Sequence, residues 1–585
     1  MMQAVPESFD FPSCHSSDGL GSSSSGSSSS SSSDPDRRRN VGSSRSTSFD
    51  GGASGPWYPP LGLQEVRVPK HQGALGVVEQ RYHVNARSSG AGGFGQVYVA
   101  EDKHVRGRRV AIKKIMLTNA SNRKSFHQEA ATLKQLDHPN ICRILESYDN
   151  GRSGHVVLEL CQGGDVFDRL ADTGAFSEEV AADVLRQILG ALKYSHANGI
   201  AHRDVKPENI CYSSRDRADG HVKLIDWGTA FAFREGKMRS SVGSVAYAAP
   251  EMYNGSATDY NELCDMWSLG VTAYVLLSGS PPFWGEREKQ LEAMRSEKIP
   301  MTNAAWSKIS PEAGNFVRGL LRSDPELRLT AEAALAHPWL SARRAQEPDG
   351  HAEARQVFES MRKFDASSTA LSKFAVQVAR HLDHQSAHTL RQVFERLDPD
   401  GNGEIRPADL RRGFAQVFGE GSDEYKHADS IFVHVDLDGS GAVSFTEFCA
   451  VSLGGEICAK DETFQAAFHD FTADDEVRRA ILQAAATASG SRAGEGDAKE
   501  HTSALSEWLS RVREAGHRAS GAALRLERPV APIEEAPAPA TFYGKFCSMV
   551  QGGRRGPRET KRCRPFQVFE NVPVFMHMGN GLSFV

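Results

Sequence analysis

The octapeptide His202-Arg203-Asp204-Val205-Lys206-Pro207-Glu208-Asn209 brings a carboxylate, an ammonium and an amide oxygen into one short loop. That set suits phosphoryl transfer. Asp204 orients an attacking hydroxyl and accepts its proton, Lys206 stands beside the transferred phosphate, and Asn209 offers an oxygen to magnesium. Asp226, in Asp226-Trp227-Gly228, follows at the place where a second carboxylate would chelate the magnesium that bridges nucleotide phosphates. Loop charges on a plain surface have no reason to appear in this order.

Upstream, Gly90-Ala91-Gly92-Gly93-Phe94-Gly95 followed by Val97 is a GxGxxG loop, whose missing side chains let backbone amides approach phosphate oxygens. In a chain with 53 glycines the pattern alone is weak. It gains weight because Val110-Ala111-Ile112-Lys113 follows at the spacing of a hairpin and third strand, so that Lys113 can reach the α and β phosphates of ATP. Glu129, in the helical segment beyond, is the partner that would hold Lys113 by an ion pair. Strand-like runs at 96–100, 109–114 and 155–160 precede a long helical stretch at 178–198, so a strand-rich lobe leads into a helix-rich one.

At 585 residues the chain exceeds a single core, and about three or four folded units with linkers are expected. A net charge of -6 and a pI near 6.4 give no general attraction to nucleic acid, and none is expected as a partner. Nine scattered cysteines without a CxxC pair fit a reducing, cytoplasmic setting. The longest apolar run, 271–277, is short of a membrane span, and the opening residues form neither a signal-peptide core nor a myristoylation site. Residues 1–80 are a Ser/Gly-rich tract and 521–585 a Pro-rich and basic tail, both expected to be disordered. Arg554, Arg555, Arg558, Lys561, Arg562 and Arg564, after Phe542, Tyr543 and Phe546, make that tail the one segment suited to anionic lipid, although a solvated tail has the same composition.

Two further stretches match twelve-residue calcium loops. In Asp436 to Glu447, Asp436, Asp438 and Ser440 supply oxygens at positions one, three and five, Gly441 makes the turn at six, Ala442 lends its carbonyl at seven, and Glu447 closes the loop with two oxygens. Val443 takes the β-pairing position. Asp398, Asp400, Asn402 and Glu404 repeat this pattern, but the last ligand is Asp409, whose shorter arm should weaken calcium binding or tilt the site toward magnesium. The loops are far enough apart for two paired helix-loop-helix units over 390–455.

The phosphoryl-transfer motifs, with Ala249-Pro250-Glu251, Asp265-Met266-Trp267-Ser268-Leu269-Gly270 and Asp324-Pro325-Glu326-Leu327-Arg328, resemble the eukaryotic protein kinase fold over 82–340. The resemblance implies an α+β, bilobal kinase domain in which Glu251 and Arg328 form a structural ion pair and Asp265 braces the catalytic loop. It also implies that Leu158, Glu159 and Cys161 line the adenine pocket as gatekeeper and hinge, a placement that a plain buried strand would share. Val205-Lys206-Pro207-Glu208-Asn209 resembles serine/threonine kinases and not tyrosine kinases. Glu208 and Asp165 fall where related kinases meet substrate arginines, which implies a basic residue upstream of the target; acidic groups solvated beside the groove are the alternative. Trp227 stands where the family usually has phenylalanine, and Ser89 where leucine is common.

With calcium loops after the kinase, the chain resembles the calcium-dependent protein kinases of plants and protists over 82–471. The resemblance implies an all-α EF-hand domain and, over 341–389, a junction helix that blocks the substrate groove until calcium acts. Val357, Met361 and Phe364 lie at helical spacing beside Arg362 and Lys363, and Leu371, Phe374, Val378 and Leu382 extend an apolar face; a docking helix would look the same. That family carries four loops. Here Phe464 to Phe471 resembles the entering helix of a third, followed at 472–477 by a stretch that lacks the first aspartate and the turn glycine, and Leu505, Trp508, Leu509 and Val512 mark a helix in a degenerate half over 456–520. The expected protein is a monomeric, calcium-regulated serine/threonine kinase using ATP, magnesium and calcium on protein substrates. Its rivals are a calcium-independent kinase with structural EF-hands and a calcium-binding pseudokinase scaffold.

Overall fold

The computed structural model describes residues 77–453, with breaks at 86–89, 93–94, 104, 106, 235, 240–241, 254–258, 303, 345–350 and 365–368, together with Ala467. Ser89, Gly93, Phe94, the remnant helices beyond residue 453 and both terminal tails up to residue 76 and from residue 521 lie outside the described residues.

A short helix α1 (Val77–Arg81) opens the described chain. Its Val78 is buried with Tyr82, so the first tail ends earlier than residue 80. The first lobe is an antiparallel sheet of β1 (Tyr82–Val84), β2 (Gly90–Gly92), β3 (Gly95–Asp102), β4 (Arg109–Met116), β5 (Ile144–Asp149) and β6 (Ser153–Glu159), in the order β1-β3-β4-β6-β5 with β2 on β3. Alternation in β4 sends Val110 and Ile112 to one face and Lys113 and Ile115 to the other. Helix α2 (Ala120–Gln135) is capped by Asn119, whose side chain accepts from the Asn122 amide at 2.8 Å, and buries Phe126, Ala130 and Leu133.

The second lobe is helical. It comprises α3 (Val166–Thr173), α4 (Glu178–Ala197), α5 (Leu263–Ser278), α6 (Arg287–Arg295), α7 (Pro311–Leu320), α8 (Ala331–Leu335) and α9 (Pro338–Arg344). Between α4 and α5 run the strand pairs β7 (Ile200–Ala201) with β10 (Phe231–Ala232) and β8 (Ile210–Tyr212) with β9 (Val222–Leu224). Helix α5 is apolar on every side and accordingly buried on every side, from Cys264 to Leu277. Helix α4 packs Leu185, Ile188, Leu189 and Leu192 into the same core.

After the break at 345–350 come α10 (His351–Lys363), α11 (Thr369–Arg380), α12 (His384–Leu397), β11 (Glu404–Ile405), α13 (Pro407–Phe418), α14 (Asp423–Lys426), α15 (Ala428–Val435), β12 (Val443–Ser444) and α16 (Phe445–Ser452). Strands β11 and β12 join the two loops, with Ile405 opposite Val443. The span 341–389 is not one junction helix: it holds the end of α9, all of α10 and α11, and the start of α12. Val357, Phe358, Met361, Phe374, Val378 and Leu382 share a core with the EF-hand residues Phe394, Phe414 and Phe448. The amphipathic faces expected to block a groove are covered by α12, α13, α15 and α16, against which they bury their apolar residues.

Phe358 is buried and stacks on Phe414 with ring centroids 4.3 Å apart. Phe358→Ala should cost the module about 3–5 kcal/mol. In urea unfolding followed by amide exchange in α12–α16, a loss under about 1 kcal/mol would place α10 outside this core.

Candidate active site and calcium loops

Strand register builds the nucleotide side of the site. Gly90 lies opposite Val97, Val97 opposite Lys113, and Lys113 opposite Val156, so the glycine strand and the lysine occupy one row on one face of the sheet. Leu158 pairs with Ala111, two residues along β4 from Lys113 and therefore on the same face. Gly95 has φ 150°, and a Cβ there would meet the Lys114 carbonyl oxygen at 2.5 Å, so a side chain would break the hairpin. Gly90, Ala91, Gly92, Gly95 and Val97 thus lie in β2 and β3, above Lys113.

Lys113 Nζ donates to Glu129 Oε1 and to Asp226 Oδ1, each at 2.6 Å. Burial alone would lower the ammonium, but Glu129 and then Asp226 outweigh it and hold Lys113 above its ordinary value. Burial would likewise lift the Asp226 carboxyl, yet Lys113 holds it below the usual carboxylate range. One ammonium thereby ties α2 to the Asp226 loop. Trp227 beneath α2 is fully buried, and its indole N–H donates to the Leu224 carbonyl at 3.4 Å.

The catalytic loop is equally constrained. Asp204 Oδ2 accepts from Lys206 Nζ at 2.7 Å and from Asn209 Nδ2 at 2.9 Å. Asn209 also donates to the Asp204 carbonyl at 2.8 Å, which leaves its Oδ1 as the atom able to face a cation. With the Asp226 carboxylate this makes a hard-oxygen donor set that suits magnesium. Two non-glycine residues of the site have left-handed backbones, Arg203 (φ 66°) and Asp226 (φ 58°). Arg203 is held by its amide on Asp265 Oδ1 at 2.6 Å and its Nε on the Thr229 carbonyl at 2.7 Å. Arg328 makes the paired contact to Glu251, at 2.7 and 3.0 Å.

Sequence reasoning missed Ser244. Its amide donates to Asp204 Oδ1 at 2.8 Å, and its hydroxyl lies 2.6 Å from Lys206 Nζ. Gly243 before it has φ 87°, and a Cβ there would lie 2.3 Å from the Arg203 carbonyl oxygen, which is the close approach that lets Ser244 reach in. A glycine before a serine was the available signal, too common to act on. His196 was missed too: its Nε2 is 2.9 Å from Asp265 Oδ2.

The hinge differs from expectation in one respect. Glu159 does not point its side chain at the nucleotide pocket; its carboxylate accepts from the Arg143 amide at 2.7 Å and lies 2.9 Å from Lys223 Nζ, while its own amide donates to the Arg143 carbonyl at 3.0 Å. Arg143 in turn donates Nη1 to the carbonyls of Ala379 and Arg380 at the end of α11, at 2.9 and 3.0 Å, with Nη2 3.8 Å from Glu159. Asp165 Oδ1 caps α3 by accepting from the Asp168 amide at 2.6 Å.

The two calcium loops are unequal. Asp436, Asp438 and Glu447 bring their ligand oxygens within 4.8 Å of one another, the one such carboxylate group of three among the described residues. Glu447 reaches across its loop, with Oε1 3.2 Å from the amides of Leu437 and Asp438 and Oε2 accepting from Ser444 at 2.9 Å. Burial and then Asp438 push its carboxyl up to about 8. Ser440 donates its hydroxyl to the Ala442 carbonyl at 2.9 Å. In the first loop Asp398 accepts from the amides of Asn402 and Gly403, and Glu404 donates its amide to Asn402 Oδ1 at 2.8 Å. Asp409 stays at home: its oxygens take the Arg406 amide at 3.1 Å and the Arg412 guanidinium at 2.7 Å. One methylene separates the two outcomes.

Comparison with known proteins agrees with this geometry. Residues 83–340 match the protein kinase domain, and 388–453 match the EF-hand domain pair. The chain is 31% identical over 405 residues to calcium-dependent protein kinase 3 of Plasmodium yoelii yoelii, covering 68% of this chain and 73% of that one. It is 32% identical over 432 residues to calcium-dependent protein kinase 33 of Arabidopsis thaliana, covering 72% and 80%. To calcium-dependent protein kinase 2 of Zea mays it is 33% identical over 408 residues, covering 67% and 78%. A kinase domain and an EF-hand pair aligned with such relatives over most of their length leave one assignment: the chain belongs to the calcium-dependent protein kinase family.

Proposed function

We propose that this chain transfers the γ-phosphoryl group of ATP to serine or threonine hydroxyls of proteins, prefers a basic residue upstream of the target, and is switched by calcium through its EF-hand pair. The observation that carries the reading is the double contact of Lys113 with Glu129 and Asp226, which aligns both lobes around a nucleotide while Lys206 and Asn209 orient Asp204. Asp204 takes the hydroxyl proton, Lys113 holds the α and β phosphates, and Lys206 offsets charge on the moving phosphoryl group. Magnesium held by Asp226 and Asn209 supplies neutralisation of the phosphate charge. A cytoplasmic setting is expected from the scattered cysteines of the sequence, and no described helix is long and apolar enough to cross a membrane. A monomer is expected, and light scattering after gel filtration tests it.

The preference for a basic residue rests on Glu208 beside Asp165. Glu208 Oε2 is buried without a hydrogen-bond partner among the described residues, and burial pushes its carboxyl up to about 7. A substrate guanidinium would supply the missing partner.

Phosphate transfer to a basic peptide, measured with calcium and with chelator, tests the whole reading. Asp204→Ala should lower the rate about 10²–10⁴-fold, and Glu447→Gln should remove the calcium response while sparing the chelator rate. Equal wild-type rates in both conditions would overturn the switch. Because the raised Glu208 carboxyl gains a proton and loses its charge as pH falls through about 7, KM for an arginine-bearing peptide should rise from pH 8 to pH 6. Glu208→Gln should flatten that rise; a rise of the same size in the variant would remove Glu208 from substrate recognition.

A further inference from the structure

We infer that Lys193 of α4 claims the third-position ligand of the first EF-hand loop, so that this loop docks the kinase domain and the second loop alone takes calcium. The inference deepens the calcium-switch reading and rests on it. Lys193 Nζ donates to the Asp400 carbonyl at 2.8 Å and lies 3.3 Å from the Asp400 carboxylate, at the third position of the loop. A calcium ion would need a side-chain oxygen at that position. The same carboxylate accepts from Asn402 Nδ2 at 3.0 Å, so positions three and five are folded onto each other. Position twelve is also engaged by a cation of the chain itself, since Asp409 accepts from the Arg412 guanidinium at 2.7 Å.

Packing explains why the loop stays in this state. Gly190 of α4 faces Gly401, and a Cβ on Gly190 would lie 3.4 Å from the Gly401 carbonyl oxygen. Gly403 is pressed against His138 and Tyr194, where a Cβ would come within 2.5 and 2.9 Å. The loop backbone therefore lies flush on the kinase domain, with an ammonium over its third position. Gly439 and Gly441 of the second loop meet nothing within 4 Å, so the turn of that loop is not pressed against the kinase domain as Gly401 and Gly403 are. Neighbouring contacts fix the same face: Thr446 donates its amide and hydroxyl to Asp137 at 3.1 and 2.8 Å, and Arg391 donates to Asp219 at 3.1 Å. An ammonium makes a point charge of the right sign but needs fewer ligands than calcium, which suits a loop that has lost its closing glutamate.

The test uses the full chain, with calcium as the probe. Equilibrium dialysis should give one ion per chain for wild type, one for Asp400→Asn and none for Glu447→Gln. In parallel, Lys193→Met should speed amide exchange across 398–405 about tenfold, whereas Lys193→Arg should retain protection, which separates loss of the cation from misfolding. Two ions per wild-type chain, or loss of an ion in Asp400→Asn, would overturn the assignment of calcium to the second loop alone. Unchanged exchange in Lys193→Met would overturn the docking role. No ion in wild type would instead defeat the calcium-switch reading, and the exchange result would still decide whether Lys193 holds the loop.

Discussion

The buried carboxylate of Asp265 is the constraint on which the catalytic arrangement depends. It accepts from the amides of His202 and Arg203, at 2.8 and 2.6 Å, and faces His196 at 2.9 Å. Burial would lift this carboxyl, but the hydrogen bond and charge of His196, with the His202 amide, hold it below the usual carboxylate range. An ionised group at full burial is tolerable only because its acceptor sites are filled. In return it pins a backbone that would not choose φ 66° at Arg203. Asp204, Lys206 and Asn209 then take their places by chain connectivity, and Gly243 fits against the Arg203 carbonyl so that Ser244 completes the set.

The departure at Trp227 shows how the fold absorbs a changed residue. An indole is larger than a phenyl ring and carries an N–H that must be satisfied when buried. The Leu224 carbonyl accepts it, and the ring edge meets His202 with centroids 4.7 Å apart. The aromatic thus joins the catalytic loop to the turn after Asp226, while Lys113 joins that turn to α2.

What the sequence revealed was local. The octapeptide at His202, the pairing of a glycine loop with Lys113 and both twelve-residue loops carry their chemistry within a few turns of chain, so their spacing is enough to read them. What it concealed was the partner of each surface. The periodicity of Val357, Met361 and Phe374 announces an apolar face without saying what covers it, and the EF-hand helices proved to be the cover. Lys193 and Asp400 stand 207 residues apart, and Asp204 and Ser244 stand 40 apart, distances over which no pattern of residue types specifies a contact. Asp409 was legible as a weak ligand, but its capture by Arg406 and Arg412 follows from where the chain turns into α13.

Arg143 touches two worlds. Its guanidinium caps the last carbonyls of α11, and its amide and side chain hold Glu159 next to Leu158. Coupling through such a residue obeys thermodynamic reciprocity. Whatever factor ion binding imposes on nucleotide affinity by way of α11, nucleotide must impose on ion affinity in return. Any factor other than one would bring the ATP level into the threshold at which the EF-hand pair responds, and would make a ligand of the adenine pocket an effector of the calcium sensor.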